Sequence, residues 1–204
     1  HPVLFLPRHG ENHSLAPHQL NYRANIKALS MAGATSIIAV NAVGGIDDSA
    51  PPGGMVVPDQ LIDYSWGREH TFVDEGLPVA HVDFSQPYDE TLRCLLERAA
   101  EESQYPIFMG GTYACTQGPR LETAAEIKRL ANDGCSIVGM TGMPEAALAR
   151  EIDIPYASLC CVVNWAAGVS DEELSWDALK PVIDASAKQA QAILIEVVRS
   201  YYQA

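Results

Sequence analysis

Arg8 and His9 open a polar loop directly after the short apolar run Val3–Leu6, which predicts a strand. Arginine is the side chain whose N–H groups best match two oxygens of a phosphate, and histidine can add a further hydrogen bond. An ordinary polar loop would also contain such residues, so Arg8 and His9 alone do not distinguish a phosphate-binding site from a plain surface loop. A zinc site built on His9, His13 and His18 is disfavoured, because Gly10 stands where a helical zinc motif needs glutamate. We therefore expect no metal.

Three other polar side chains follow apolar runs that are typical of buried strands. Asn41 begins the segment 41–45 with the sequence N-A-V-G-G, Thr141 follows the run at 137–138, and Asn164 follows the run at 160–163. Ligands of open α/β sheets usually bind at strand ends, so these residues are candidates for a binding site. Glycines in segment 41–45, which we expect to be a turn, would let backbone N–H groups approach an anion. The same glycines also suit an ordinary turn.

Glu122 lies just before a predicted helix, because Thr123 and Glu126 have the spacing of a capping box. A carboxylate at this position suits the helix dipole, so Glu122 taken alone is better explained as an ordinary residue of the first helical turn. Cys160 and Cys161 lie inside an apolar run, and we interpret them as core residues that have no partner to activate a thiol.

Alternating strand-like and helix-like segments must position these candidates. Strand patterns at 36–40, 56–64, 107–115 and 157–163 alternate with helix patterns at 19–34, 87–101, 144–151 and 175–202. This alternation predicts one α/β domain around a mainly parallel or mixed sheet.

Composition narrows the classes of function. The 204 residues include 13 basic and 26 acidic side chains, a formal charge of −13, which argues against a nucleic-acid surface or an anionic membrane. A small anionic ligand is still compatible with that charge. Five cysteines without paired spacing favour a reduced, cytoplasmic protein. The sequence contains neither an apolar run long enough to cross a membrane nor a signal-peptide pattern.

Five motifs, in order, resemble one known family. They are R-H-G-x-x-H at 8–13, P-x-x-x-N-Y-x-A-N at 17–25, N-A-V-G-G at 41–45, G-P-R-L-E-T-A-A-E at 118–126 and G-M-T-G-M-P-E-A-A-L-A-R-E at 139–151. The combination resembles the trimeric nucleoside phosphorylases, which include methylthioadenosine phosphorylase and trimeric purine nucleoside phosphorylase. The resemblance implies a single α/β domain over residues 1–204, with a central mixed β-sheet flanked by helices. It also implies a homotrimer with active sites at subunit interfaces, and a reaction that needs inorganic phosphate as co-substrate but no cofactor.

Members of that family also carry an N-terminal strand and a glycine-rich phosphate loop, which do not precede His1 here. We expect that this segment was not included, because the other phosphate-facing motifs are intact.

The resemblance assigns roles residue by residue. Arg8, His9, Asn41, Ala42 (through its backbone N–H) and Thr141 would surround the phosphate. Met140 would pack against the ribose, and Glu122 and Asn164 would face the base, with Trp165 and Ala166 beside them. His81 would reach the 5′ pocket of a neighbouring subunit, and Trp176 would set the preference for the 5′ substituent.

Hydrogen-bond patterns then favour a 6-oxopurine. Glu122 can accept the N1–H of hypoxanthine but would face a lone pair of adenine, and Asn164 can donate to O6 or N7. Such a site can discriminate by about four orders of magnitude. Asn164 would also stabilise the leaving base as the glycosidic bond breaks.

The residues expected at the 5′ pocket indicate which 5′ substituent the nucleoside carries. Trp176 and Ala166 would form an apolar pocket for a methylthio group, so S-methyl-5′-thioinosine is the expected substrate. Inosine or guanosine, methylthioadenosine, and a non-catalytic nucleoside-binding protein are the alternatives.

Overall fold

The computed structural model describes residues 3–73, 79, 81–171 and 176–203, and these contain seven strands and five α-helices. The strands are β1 (Ile37–Gly45), β2 (Met55–Val57), β3 (Gln60–Asp63), β4 (Phe108–Met109), β5 (Thr112–Cys115), β6 (Cys135–Gly139) and β7 (Tyr156–Trp165). The helices are α1 (Tyr22–Met31), α2 (Glu90–Glu102), α3 (Ala124–Asn132), α4 (Gly142–Glu151) and α5 (Trp176–Gln203). Within this described part, no helix combines the length and apolarity that crossing a lipid bilayer requires.

The strands form one mixed sheet in the order β3-β5-β6-β1-β7-β2-β4. The central pair, β1 and β7, is parallel, whereas β1 with β6 and β2 with β7 are antiparallel. The outer pairs β3 with β5, β5 with β6 and β2 with β4 are parallel. The predicted α/β fold with a central mixed sheet flanked by helices is therefore confirmed.

Strand β7 is buried on both faces, as its continuous apolar run predicts. Its side chains alternate between two apolar clusters because successive residues of a strand point to opposite faces. Leu159 and Cys161 pack in the cluster that contains Leu96 of α2 and Ile193 of α5. Cys160 and Val162 pack in the cluster that contains Ala146 of α4. Helices therefore cover both faces of the sheet at its centre.

The capping box at the start of α3 is confirmed. The Thr123 hydroxyl accepts a hydrogen bond from the Glu126 N–H at 3.1 Å, and the Glu126 carboxylate accepts one from the Thr123 N–H at 2.7 Å. Arg120 pairs with the same carboxylate at 2.7 Å. This arrangement fixes the loop between β5 and α3, which carries Glu122.

Several strand boundaries differ from the sequence-based expectation. In the described part of the chain the run Val3–Leu6 forms no strand, and Phe5 in it is 88% exposed. The predicted strand at 56–64 is divided at Pro58, which cannot donate to a ladder, and the one at 107–115 is divided at Gly110 and Gly111. Both of these glycines have positive φ angles, which place them outside the β region.

The turn expected at 41–45 is wrong, because β1 continues to Gly45. Glycine is required there for space: a Cβ atom on Gly45 would lie 1.9 Å from the carbonyl oxygen of Ala50 and 3.2 Å from Val162 Cγ1. Asn41 is consequently held in the interior of the central strand.

Gly45→Ala should destabilise the protein by about 1–3 kcal/mol or more, since the backbone at Ala50 must move to admit the methyl group. Urea unfolding at a fixed protein concentration measures the change. Ala42→Ser, which adds one atom to an exposed position of the same strand, is the control and should shift the midpoint little. An unchanged midpoint for Gly45→Ala would contradict the proposed contact.

Candidate active site

Arg8 forms a forked ion pair with Glu145. Its Nε donates to Oε1 at 2.7 Å and its Nη2 donates to Oε2 at 2.9 Å. The Glu145 side chain is 6% exposed and that of Arg8 15%. Two parallel hydrogen bonds of this kind are the strongest contact that arginine makes with a carboxylate.

Asn41 joins Arg8 to Thr141. Its Oδ1 accepts hydrogen bonds from Arg8 Nη1 at 2.8 Å and from Thr141 Oγ1 at 2.9 Å. Its Nδ2 donates to Ser158 Oγ on the adjacent strand β7. Asn41, Thr141 and Ser158 are all buried, so each contact also satisfies a polar group that water does not reach. We refer to Arg8, Asn41, Thr141 and Glu145 as the Arg8 cluster.

Three elements position the Arg8 cluster. Asn41 belongs to β1, Thr141 is the N-cap residue of α4, and Glu145 lies in the first turn of that helix. Tyr156 of β7 donates from its hydroxyl to Glu145 Oε2 at 3.0 Å. Burial alone would lower the pKa of the Arg8 guanidinium, but the Glu145 carboxylate outweighs it and raises that pKa above its ordinary value. Arg8 is therefore a permanent cation.

Most N–H groups of Arg8 are already engaged. Besides its bonds to Glu145 and Asn41, Nη1 donates to the Val40 carbonyl oxygen at 3.1 Å. These four bonds use four of the five guanidinium N–H groups. Arg8 therefore offers one free N–H on Nη2, and a two-point contact with an anion requires one internal bond to be exchanged.

His9 lies beside this cluster with its ring stacked on His13 at a centroid distance of 4.1 Å. Its Nδ1 is 2.8 Å from the Leu15 carbonyl oxygen, which can only accept, so Nδ1 carries the proton. Burial lowers the pKa of His9, and the nearby positive charge of Arg8 adds to that effect. Nε2 is left as the group that can face a ligand.

The loop between β5 and α3, which carries Glu122, lies against the end of β6. Thr116 Oγ1 donates to Glu122 Oε1 at 2.5 Å, and the Thr116 N–H donates to the Gly139 carbonyl oxygen at 2.8 Å. A Cβ atom on Gly118 would lie 2.5 Å from the Met140 sulfur. The loop that leads to Glu122 therefore packs directly on the end of β6 and on Met140.

Asn164 lies on β7, opposite Gly44 of β1 and past a register shift in that pair. Its Nδ2 donates to the Trp165 carbonyl oxygen at 2.6 Å and would be 3.4 Å from a Cβ atom on Gly44. Trp165 is half-buried, and Ala166 packs in the apolar cluster with Val138. Because β6, β1 and β7 are neighbours in the sheet, Asn164 is two strands from Met140.

The remaining predicted site residues lie apart from these contacts. Ala42 is on the exposed side of β1, and His81 lies in an exposed loop. No hydrogen bond in the described residues joins either side chain to the Arg8 cluster. Trp176 begins α5, but its side chain lies outside the described residues. The structure thus brings Arg8, Asn41 and Thr141 together, and their role toward phosphate stays a prediction.

The buried cysteines of β7 and the arrangement of possible metal ligands bear on what other chemistry the region could do. Burial raises the pKa of Cys160 to about 12 and that of Cys161 to about 11, so both are protonated thiols at neutral pH. Among the described residues, no group of three or more His, Cys, Asp or Glu side chains is arranged to hold a metal ion.

Comparison with known proteins identifies the family. Residues 1–199 match the protein family described as "Phosphorylase superfamily". The chain belongs to the phosphorylase superfamily. It is 52% identical over 201 residues to a protein from Xanthomonas campestris pv. campestris named "Probable S-methyl-5'-thioinosine phosphorylase", a match that covers 98% of this chain and 80% of that protein. It is 43% identical over 202 residues to the "6-oxopurine nucleoside phosphorylase" of Pyrococcus furiosus, covering 96% of this chain and 76% of the relative.

Solved structures agree with this membership. Methylthioadenosine phosphorylase from Schistosoma mansoni, in complex with adenine, superposes with a TM-score of 0.91 at 33% sequence identity. That match covers 96% of this chain and 76% of the other.

Two residues of this site escaped prediction from the sequence. Glu145 is the only charged side chain between Met143 and Ala149, and a lone carboxylate in such an apolar stretch is a signal that it is buried and paired. Arg68 is also buried, and it contacts the main chain around Met140 and Thr116. It lies in the polar stretch 67–71, where nothing distinguishes it from a surface residue.

Removing one partner of the Arg8–Glu145 pair should cost about 3–5 kcal/mol of stability, because the other charge stays buried without compensation. Arg8→Met and Glu145→Leu should each show this loss, and the double variant should lose less than the sum. Urea unfolding of the four proteins gives the coupling free energy.

The exposed pair Lys180–Asp184, with both side chains 60% exposed, provides the matched control. The cycle of Lys180→Met and Asp184→Leu should give a coupling of at most about 0.5 kcal/mol. Additive losses at Arg8 and Glu145 would show that the pair contributes nothing beyond its separate side chains.

Proposed function

We propose that the protein catalyses the phosphorolysis of a 6-oxopurine nucleoside, with S-methyl-5′-thioinosine as the preferred substrate. The products are hypoxanthine and 5-methylthioribose 1-phosphate. The observation that carries the proposal is the packing of the loop that carries Glu122 on Gly139 and Met140, next to Thr141 of the Arg8 cluster, in a chain of this superfamily. One side of this region suits an anion, and the other suits the edge of a purine that carries a proton on N1.

Phosphate binds at the Arg8 cluster in this proposal. Thr141 Oγ1 and one N–H of Arg8 turn from Asn41 Oδ1 toward the anion, and His9 Nε2 and the Ala42 N–H complete its surroundings. Because Glu145 and Val40 still hold the guanidinium, these exchanges do not displace Arg8. A pre-oriented cation of this kind lowers the cost of bringing phosphate below the sugar.

The chemical step transfers the ribosyl carbon from nitrogen to oxygen. The bond between C1′ and N9 breaks, its electron pair goes to the purine, and a phosphate oxygen forms the new bond to C1′. Positive charge on the sugar is stabilised by the bound phosphate, and negative charge on the base by a hydrogen bond from Asn164. Asn164 Nδ2 must exchange its bond to the Trp165 carbonyl oxygen for one to the base.

Base selection follows from the two polar side chains. The Glu122 carboxylate, oriented by Thr116, accepts the N1–H of a 6-oxopurine, and Asn164 donates to O6 or N7. Adenine presents a lone pair at N1 and an amine at C6. Its N1 would therefore place an acceptor against the Glu122 carboxylate, which is also an acceptor. At the 5′ end, Ala166 and Trp176 would supply an apolar surface for the methylthio group.

We also propose a homotrimer in which His81 of one subunit completes the 5′ pocket of its neighbour. Exposed apolar side chains favour such an interface, among them Phe5 at 88% and Trp66 at 72% exposed. Five free cysteines favour a reducing, cytoplasmic location. The mechanism requires no cofactor or metal.

Release of free base from S-methyl-5′-thioinosine, methylthioadenosine, inosine and adenosine should require phosphate. The kcat/KM should be highest for S-methyl-5′-thioinosine and lower by about 100-fold or more for the adenine nucleosides. Ultraviolet absorbance and chromatography of the bases, with and without phosphate, measure this. Base release without phosphate would instead indicate a hydrolase, and hypoxanthine binding without turnover would indicate a binding protein.

Asn164→Asp should lower the ratio of kcat/KM for inosine-type over adenosine-type nucleosides by about tenfold or more, because a carboxylate accepts from the adenine amine and cannot donate to O6. Asn132→Asp makes the same change at an exposed position at the end of α3 and should leave the ratio unaltered. Equal ratios in the Asn164→Asp protein and the unaltered one would exclude Asn164 as a base-selecting residue.

A further inference from the structure

Arg68 lies outside every motif in the sequence, yet it is 9% exposed. The four N–H groups of its two amino nitrogens lie within hydrogen-bond distance of five oxygen atoms: Tyr22 Oη at 3.1 Å, Met140 O at 2.9 Å, Met143 O, Thr116 O at 3.1 Å and Gln117 O at 3.0 Å. It also lies over the Tyr22 ring, with Cζ 5.2 Å from the centroid. The Tyr22 hydroxyl in turn donates to the Pro17 carbonyl oxygen at 2.8 Å.

The two amino groups of Arg68 contact different parts of the proposed site. Nη2 holds the carbonyl groups of Thr116 and Gln117, and the Thr116 hydroxyl holds the Glu122 carboxylate. Nη1 holds the carbonyl groups on both sides of Thr141, which belongs to the Arg8 cluster. One planar side chain therefore spans the segment that selects the base and the segment that binds phosphate.

Arginine suits this position because its rigid fork presents donors in two directions. Within the described residues, Arg68 makes no ion pair with a carboxylate, so neutral carbonyl and hydroxyl oxygens and the Tyr22 ring stabilise its charge. Its Nε is buried without a protein acceptor. A buried cation without a carboxylate partner is costly to place, so its surroundings must be arranged closely around it.

We propose that Arg68 is a positioning residue that fixes the purine-selecting segment (116–122) relative to the phosphate-binding segment (140–143). The inference rests on the reaction proposed above, since it assigns a reactant to each segment. Arg68 does not touch either reactant. It acts through Thr116 on Glu122, and through the main chain on Thr141.

The test uses Arg68→Met, which keeps length and apolar stem but removes every donor, and Arg68→Lys, which keeps the charge. Arg68→Met should raise the KM for nucleoside and the KM for phosphate, each by about tenfold, the effect expected of losing a hydrogen bond to a charged group. Lysine donates from a single nitrogen and can reach only one pair of carbonyls. In Arg68→Lys, the KM for at least one of the two reactants should therefore also be about tenfold higher than in the unaltered protein.

Two further variants separate positioning from general destabilisation. Thr116→Val removes the hydroxyl that holds Glu122 and keeps the main-chain carbonyl, so it should raise the KM for nucleoside and leave that for phosphate unchanged. Arg129→Met, at a side chain that is 74% exposed, should change neither constant. Only folded variants with the near-ultraviolet circular dichroism of the unaltered protein are compared.

Hydrogen–deuterium exchange provides a readout that does not depend on activity. Peptides covering 116–122 and 140–143 should both exchange faster in Arg68→Met than in the unaltered protein. If KM values for both reactants stay within about twofold in folded Arg68→Lys and Arg68→Met proteins, the inference is overturned. A rise confined to one KM in Arg68→Met overturns the coupling of the two segments. If the unaltered protein shows no phosphorolysis, the proposed function fails, and hydrogen–deuterium exchange alone then tests the positioning role of Arg68. Faster exchange in both segments supports that role, and unchanged exchange refutes it.

Discussion

The buried ion pair between Arg8 and Glu145 is the contact on which the site depends. A carboxylate with both oxygens engaged makes it possible to hold a guanidinium in a largely buried position beside Asn41. Without that compensation, the guanidinium beside Asn41 would be a buried, unpaired charge and would destabilise the fold. The pair therefore fixes the loop at Arg8 on the edge of β1 and on the first turn of α4, and Thr141 is placed by the same arrangement.

Local patterns in the sequence predicted much of this structure. The buried strand β7, the capping box at Thr123 and the alternation of strands and helices follow from periodicity and spacing within a few residues. The motifs also placed Arg8, Asn41 and Thr141 in one site, and they are hydrogen-bonded to each other. Contacts between distant residues were not accessible in this way. Nothing local states that Glu145 pairs with Arg8, or that Arg68 is buried.

Glycines caused the clearest error. In the sequence, a glycine pair after an apolar run suits a turn, whereas Gly45 is needed in a strand because the chain at Ala50 passes too close for a side chain. A glycine pair is compatible with a turn and with a strand, and only the close approach of the chain at Ala50 shows that this pair lies in a strand. Asn41 is therefore fixed by the ladder of the central strand pair, which restrains its side chain more firmly than a loop would.

The central pairing of β1 with β7 also bears on how the chain acquires its native state. Ile37 pairs with Tyr156, and Arg8 meets Glu145 across 137 positions of sequence. Closing such long loops costs chain entropy before any contact compensates for it, and proteins rich in distant contacts fold slowly. Local units such as the α3 cap can form early, whereas the site must assemble late, after α4 and β7 have been synthesised. During translation Arg8 consequently cannot pair with Glu145 until the segment that contains Glu145 has left the ribosome.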